Sequence, residues 1–296
     1  MNKTHAQSRL PHYLLLLLGV LCISWSAILV KTAGISGFGS GFYRLLIGTV
    51  GIIPIWLIFG KPVYNARGVK VAILCGVLFA IDIALWNTSI MLSKASVSTL
   101  LANLAPVWVG LGGLLFLKEK PTKIFWFGTV VALLGVAVIV GFDQLTFSGM
   151  NTGNILAILA SVFYGAYLLT VRKGRNTLDT FTFTTVSMIS STIVLGFICL
   201  FTSTPMWGFS TITWLSLLGL GLIPQLIGWL AINQALGHIH PNVASVSLLS
   251  QTVFTALFSV PVLGELLTPV EMGGALIVFA GIFLVNFKKQ KKVQGV

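Results

Sequence analysis

Two charged side chains within apolar segments are the strongest candidates for binding or proton transfer in this sequence. Arg44 lies near the start of one apolar segment, and Asp82 lies deep in the next. A charge at the centre of a membrane helix costs roughly 2.5 to 3.5 kcal/mol on insertion scales, so such residues normally face a cavity or a partner. Three interpretations are open: an ion pair that joins two helices, an arginine whose head group reaches the membrane surface, and a polar site for a zwitterion or a proton.

Aromatic and amide side chains extend this candidate site. Trp86 lies four residues after Asp82 and therefore on the same helix face, and Asn87 follows it. Carriers of organic solutes usually have apolar cavities with a few polar groups, whereas a buried amide can equally serve to join two helices. With Arg44 and Asp82, the candidate substrate-binding residues are Trp86, Asn87, Asn103, Tyr164, Trp229, Asn233 and Gln251.

Two further roles are assigned to single residues. Asp82 is the only acidic side chain deep in the apolar segments, which makes it the candidate for proton coupling. Pro106 removes a backbone donor from its helix and is the candidate hinge.

Signatures of catalysis, metal binding and cofactor binding are poor. His238 and His240 are two positions apart, which directs them to different sides of a helix, and no cysteine or carboxylate is near them in sequence. The sequence has no glycine-rich phosphate loop followed by lysine and no serine beside a histidine and acid pattern. We therefore expect no catalytic residue, no metal and no cofactor.

Composition identifies the class of protein. Of 296 residues 56% are hydrophobic, and only 8% are charged, against about 25% in ordinary soluble domains. The net charge of +12 resides in short clusters between apolar segments, which indicates membrane topology rather than nucleic-acid binding. The three cysteines lie within apolar segments and indicate no disulfide framework. The chain is predicted to be an integral membrane protein.

Ten apolar segments are long enough to be membrane-spanning helices, which need about 20 residues. They are too long and too uniformly apolar for the strands of a transmembrane barrel, and the first is read as a retained span rather than a cleaved signal peptide. The predicted spans are 13–30, 40–59, 69–91, 96–117, 124–142, 154–171, 181–201, 212–235, 243–263 and 270–287.

The positive charges between spans predict the orientation. Cytoplasmic loops retain lysine and arginine. If successive loops are assigned alternately to the two sides of the membrane, with the N-terminus inside, 15 of the 18 basic residues lie on the inner side. Those 15 are Lys3, Arg9, Lys61, Arg67, Lys70, Lys118, Lys120, Lys123, Arg172, Lys173, Arg175, Lys288, Lys289, Lys291 and Lys292. Both termini are therefore predicted to be cytoplasmic, in the cytoplasmic membrane.

An internal repeat appears when the chain is shifted by 146 positions. Glu119 then aligns with Glu265, and each of these is followed three residues later by a threonine. Gly128 and Gly135 align with two further glycines, which like other glycines of the spans are expected to allow close helix packing. The sequence predicts one five-helix repeat in residues 1–147 and a second in 148–296. An odd number of spans inverts the second repeat in the membrane, an architecture typical of secondary transporters.

The segments that the repeat matches best are ASVSTLLANLAPVWVGLGGLLFLKEK from Ala95 and NVASVSLLSQTVFTALFSVPVLGE from Asn242. They resemble the two copies of the EamA repeat of the drug/metabolite transporter superfamily. The resemblance implies a ten-helix carrier with a central cavity formed by helices one to four and six to nine, and with helices five and ten at the periphery. Thr252 stands where the first copy has Pro106, a departure that puts a symmetric kink in helix nine in doubt.

A secondary transporter, an exporter of a small metabolite such as an amino acid or drug-like solute, is the function that these features favour. The alternative is a membrane-embedded enzyme acting on a lipid or isoprenoid, for which six acidic residues are few. A non-transporting partner or sensor subunit is a third reading, although it would be expected to carry a soluble domain. The expected partners are a small-molecule substrate and the lipid bilayer, with no nucleic acid. The sequence predicts neither the substrate nor the oligomeric state.

Overall fold

The computed structural model describes residues 10–61, 65–93, 95–116, 118–141, 151–263 and 268–287. This part of the chain is helical, and helices connected by short segments account for nearly all of it. The helices are α1 (Leu10–Ile23), α2 (Ser26–Ala33), α3 (Gly37–Phe59), α4 (Ala66–Leu92), α5 (Ala95–Ala102), α6 (Ala105–Phe116), α7 (Lys123–Val140), α8 (Thr152–Arg175), α9 (Thr180–Phe201), α10 (Thr211–Leu220), a π-helical segment (Gly221–Gly228), α11 (Trp229–Leu236), α12 (Pro241–Ser247), α13 (Ser250–Leu263) and α14 (Pro269–Phe287).

Every predicted span overlaps one helix or one set of consecutive helices. The largest difference is at the sixth span, predicted to end at residue 171, where α8 continues to Arg175. Nine helical stretches in the described ranges are long and apolar enough to cross a membrane. The stretch at the fourth predicted span, Leu100–Phe116, is apolar but shorter. The all-helical membrane fold is confirmed, whereas the count of ten and the repeat boundary between residues 147 and 148 stay predictions.

Three spans are interrupted near their middles. The first breaks at Ser24–Trp25, the fourth at Asn103–Leu104 and the ninth at Leu248–Leu249. Pro106 occupies the first turn of α6, where its missing N–H leaves no helical hydrogen bond unmade, so it fits the start of a new helix. The ninth span breaks at nearly the equivalent position with Thr252 in place of that proline, so the break does not require a proline.

Thr122 and Thr268, which the internal repeat aligns, have the same role in the two halves: each caps the start of a helix. The Oγ1 atom of Thr122 accepts the N–H of Phe125 at 3.1 Å and begins α7. Thr268 begins α14 in the same way, by accepting the N–H of Glu271 at 3.2 Å, and the Glu271 carboxylate accepts the Thr268 N–H at 2.7 Å. Such reciprocal bonds form a capping box, which satisfies helix donors that otherwise have no partner. Glu265, the other half of the matched acidic pair, lies outside the described residues.

Helices α7 and α14 pack against each other through four glycines. A Cβ atom on Gly128 would lie 2.8 Å from the carbonyl oxygen of Gly281, and one on Gly135 would lie 2.8 Å from that of Gly274. Under the 146-residue shift Gly128 matches Gly274 and Gly135 matches Gly281. In the structure the contacts are crossed: each glycine of α7 contacts the residue of α14 that matches the other glycine of α7. Such a reciprocal, crossed pattern is that of two related helices that run antiparallel about a pseudo-twofold axis.

Candidate functional site

A small cavity lies at the centre of the helices, between the two halves of the chain. The first half contributes side chains from the first four spans, and the second half contributes Tyr164, Trp229 and Gln251. The cavity has a volume of about 60 Å³, which is enough for a few water molecules and well below the roughly 300–1,000 Å³ of small-molecule sites. Its lining residues are Ile23, Ser26, Arg44, Asp82, Ile83, Trp86, Ala102, Asn103, Tyr164, Trp229 and Gln251.

Arg44 reaches this cavity from α3 and is only 2% exposed. Its Nε atom donates to Oε1 of Gln225 at 2.9 Å, and Gln225 lies on the π-helical segment of the opposite half. Within the described ranges its two Nη atoms make no hydrogen bond. A buried guanidinium anchored through Nε therefore retains donors for a carboxylate or phosphate, groups that its planar geometry matches.

Asp82 faces the same cavity from α4 and is 8% exposed. The described part of the chain offers its carboxylate neither a hydrogen bond nor an ion pair within 4 Å. Arg44 and Asp82 interact electrostatically across the cavity without direct contact. A buried carboxylate costs free energy unless it is paired or protonated, so Asp82 is suited to bind a cationic group or a proton.

Aromatic rings form the apolar wall beside these charges. Trp229 packs edge-to-face on Phe79 at 4.8 Å between ring centroids and on Tyr164 at 6.0 Å, and Trp86 lines the same space. The Nε1 atom of Trp229 and the Oγ atom of Ser26 are buried and have no hydrogen-bond partner among the described residues. Both residues line the cavity, so both offer polar atoms to a ligand.

The four candidate amides divide into two groups. Asn103 and Gln251 line the cavity, and the Nδ2 atom of Asn103 donates to Thr252 at 2.9 Å across the two interrupted spans. Asn87 does not line it; its Nδ2 atom donates to the carbonyl oxygen of Gly37 at 3.1 Å and joins α4 to the start of α3.

Asn233 also lies away from the cavity. Its Oδ1 atom accepts the Tyr167 hydroxyl at 2.9 Å, and its Nδ2 atom donates to Thr184 at 3.3 Å. The structure thus gathers seven of the nine candidate binding residues around one cavity and gives Asn87 and Asn233 helix-joining contacts.

Four residues that line the cavity were not among the candidates: Ile23, Ser26, Ile83 and Ala102. Gln225, recognisable from the sequence as a deep amide, contacts Arg44 and does not itself line the cavity. Ser26 follows the interruption of the first span, for which the sequence gives no proline signal. Ile23 precedes that interruption and is one of many apolar residues, so nothing in the sequence distinguished it.

Contacts between the two halves lie at the end of the bundle where the described chain begins and ends. The Nε2 atom of His240 lies 2.7 Å from Oε2 of Glu119, and the ring of His12 stacks on that of His238 at 3.9 Å. At the other end the hydroxyl of Tyr43 donates to the carbonyl oxygen of Met206 at 2.6 Å. The two halves are therefore in contact at both ends of the bundle.

His240 has one defined hydrogen-bonding state. Its Nδ1 atom accepts the N–H of Asn242 at 3.3 Å and caps α12, which leaves Nε2 to donate to Glu119. Burial lowers the pKa of His240 below its usual value, and Arg172 lowers it further, against the opposing influence of Glu119. A neutral imidazole makes both bonds at once, whereas a protonated one loses the cap.

Known proteins place the chain in a family of transporters. YdfC of Bacillus subtilis (strain 168), an uncharacterized transporter, is 23% identical over 98% of this chain and 94% of its own length. The pseudopaline exporter CntI of Pseudomonas aeruginosa (strain UCBPP-PA14) is 25% identical over 84% of this chain and 86% of its own. A solved crystal structure shares the fold with a TM-score of 0.80 at 17% identity, covering 95% of this chain and 98% of that one.

The sequence profile of the EamA-like transporter family matches residues 10–141 and again residues 151–287. The two matches together cover nearly the whole chain, one in each half. The chain therefore belongs to the EamA-like transporter family and is a membrane transporter.

Proposed function

We propose that this transporter is a secondary carrier that exports a small zwitterionic metabolite, of the amino acid type, across the cytoplasmic membrane by alternating access. The observation that supports it most is the pair of opposite charges, Arg44 and Asp82, that line one small cavity between the two halves without bonding each other. A metal-dependent enzyme acting on a lipid or isoprenoid would need clustered acids or histidines, and the described residues hold no group of three or more His, Cys, Asp or Glu side chains placed to bind a metal ion.

The chemistry of the cavity favours a zwitterion. The Nη atoms of Arg44 suit a carboxylate, and the Asp82 carboxylate suits an ammonium group. Trp86, Tyr164 and Trp229 offer an apolar surface to the rest of the molecule. A drug-like cation would engage Asp82 and the aromatic rings but would leave Arg44 without a partner.

The small volume of the cavity supports alternating access. A cavity of about 60 Å³ admits a metabolite only after the halves separate at one end. Glu119–His240 and His12–His238 are the contacts that would part to open the cytoplasmic side, and the Tyr43–Met206 contact would part to open the other. The direction of transport rests on the similarity to an exporter, and the cytoplasmic termini rest on the charge distribution.

Uptake into liposomes tests the substrate class. Purified protein in liposomes is given labelled amino acids, their methyl esters and their N-acetyl derivatives, with protein-free liposomes as the control. We expect saturable transport of a free amino acid and at least tenfold less for both blocked forms, a difference of about 1.4 kcal/mol or more. An ester carried as fast as the free acid would remove Arg44 as the carboxylate site and favour a cationic substrate.

A further inference from the structure

A second, larger cavity opens between the first, ninth and tenth spans on the outside of the bundle. It has a volume of about 520 Å³ and lies between α1, the junction of α12 with α13, and α14. Leu17, Phe279 and Phe283 line it and are exposed, so the groove opens towards the surrounding bilayer. We name this feature the lateral groove.

Polarity changes along the lateral groove. Three of its four polar lining residues, Tyr13, Ser247 and Asn286, lie towards the end of the bundle where α1 begins and α14 ends. The hydroxyl of the fourth, Ser250, is satisfied within the protein, because it donates to the carbonyl oxygen of Ser247 at 2.7 Å. The Nδ2 atom of Asn286 donates to Ser247 at 3.4 Å, while its Oδ1 atom is buried and has no partner in the described part of the chain. Val20 and Phe254, further from that end, are apolar. One polar end and one long apolar end match the ester region and the acyl chain of a phospholipid.

Charge at the polar end indicates the class of phospholipid. Arg9 directly precedes α1, and four lysines follow Phe287 within five positions: Lys288, Lys289, Lys291 and Lys292. Basic residues next to the cytoplasmic end of membrane helices attract anionic headgroups. We propose that the lateral groove binds one anionic phospholipid of the inner leaflet, with its acyl chain between α1 and α14.

Such a lipid would contact the two helical spans, the first and the ninth, that separate the lateral groove from the central cavity. Val20 and Ser250 line the lateral groove, whereas Ile23 and Gln251, close to them in sequence, line the central cavity. Between the two spaces the hydroxyl of Ser24 donates to the carbonyl oxygen of Gln251 at 3.2 Å. Binding of the lipid is independent of which substrate the transporter carries.

Lipid retention by native mass spectrometry tests the proposal. Delipidated full-length protein is offered phosphatidylglycerol and phosphatidylcholine with identical acyl chains in equal amounts. We expect one phosphatidylglycerol per chain, retained at least fivefold more than phosphatidylcholine. Replacing all four lysines with Gln should abolish that preference. Equal retention of the two lipids by the unaltered protein would overturn the proposal.

A matched pair of variants locates the lipid. Leu17 lines the lateral groove and Leu18 does not, and each is 44% exposed on the same helix. Leu17→Trp should reduce phosphatidylglycerol retention at least fivefold, whereas Leu18→Trp should leave it unchanged. Phe279→Trp, which narrows the lateral groove from the opposite wall, provides the same test if Leu17→Trp impairs folding. Equal retention by the Leu17 and Leu18 variants, or a dimer that forms on delipidation and disappears with Leu17→Trp, would contradict a lipid occupant.

Discussion

At the scale of single residues, the central cavity is unusual because two opposite charges share it without pairing. In a purely structural ion pair the two head groups would be expected in contact, each satisfying the other. Arg44 instead donates one hydrogen bond, to Gln225, and Asp82 makes no hydrogen bond or ion pair with any described residue. Each charge therefore retains capacity for a third molecule.

The isolated carboxylate of Asp82 gives the first prediction. If transport is driven by protons, Asp82→Asn should abolish accumulation driven by a pH gradient and leave the protein folded, because the amide is similar in size and cannot exchange a proton. Accumulation in liposomes with an imposed pH gradient measures this, and a melting curve verifies folding. Full pH-driven accumulation in the variant would remove Asp82 from the coupling mechanism.

The imidazole of His240 gives a prediction for pH. The pKa of His240 is lowered in the folded protein, so near pH 6 the folded state binds fewer protons than the unfolded state. The contribution of His240 to stability is therefore present above about pH 6.5, the ordinary histidine pKa, and is lost as the pH falls below it.

Melting temperatures at pH 7.5 and pH 5.5 measure this contribution. His240→Asn keeps a cap for α12 and cannot titrate, so it should show a smaller loss of stability on acidification than the unaltered protein. His238→Asn is the comparison, because it leaves the contacts of His240 with Glu119 and Asn242 intact and removes only the separate contribution of His238, whose pKa burial also lowers. An unchanged loss in His240→Asn would contradict the assignment.

At the scale of elements, close packing of α7 and α14 depends on particular glycines. A Cβ atom on Gly274 would lie 2.9 Å from the carbonyl oxygen of Gly135, whereas one on the adjacent Gly273 would meet nothing within 4 Å. Gly274→Ala should therefore lower the free energy of unfolding by about 1–3 kcal/mol, the usual cost of overpacking. Gly273→Ala, one residue away, should cost nothing. Thermal or denaturant unfolding in detergent measures both, and equal effects would contradict the crossed glycine contact.

The elements also show where sequence reasoning succeeds and where it stops. Long apolar segments located the spans to within a few residues, because the bilayer demands about 20 of them in a row. Asn87 and Asn233 were candidates for the binding site, with helix joining as the alternative for a buried amide, and their contacts are of the helix-joining kind. Their helices carry apolar residues on every side, so periodicity does not reveal which face meets the cavity.

Two of the three helix interruptions have no local signal in the sequence. Pro106 indicates the break in the fourth span, but the break at Ser24 has no proline within the first span, and the break at Leu248 lies before Thr252. These breaks follow from contacts between distant segments, such as the hydrogen bonds of Ser24 and Thr255 across the first and ninth spans. The positions of Ser26 and Gln251 at the cavity depend on them.

At the scale of the whole molecule, the contacts at each end of the bundle agree with the predicted alternation of the spans. His12, Glu119, His238 and His240 meet at one end, and all four are predicted to be cytoplasmic. A cysteine introduced at Lys120, in a variant without the three native cysteines, should react with an impermeant thiol reagent only when the membrane is opened. Reaction in intact cells would contradict both the orientation and the inversion of the second half.

The Arg44→Met, Asp82→Leu double variant is the most direct test of the central claim that these two charges form the binding site. Its melting temperature and its liposome uptake are measured beside those of both single variants. Removing one charge should destabilise the protein and removing both should restore stability, since no uncompensated buried charge remains. We expect the double variant to be folded and to have lost transport. A stable double variant with full uptake would contradict the account.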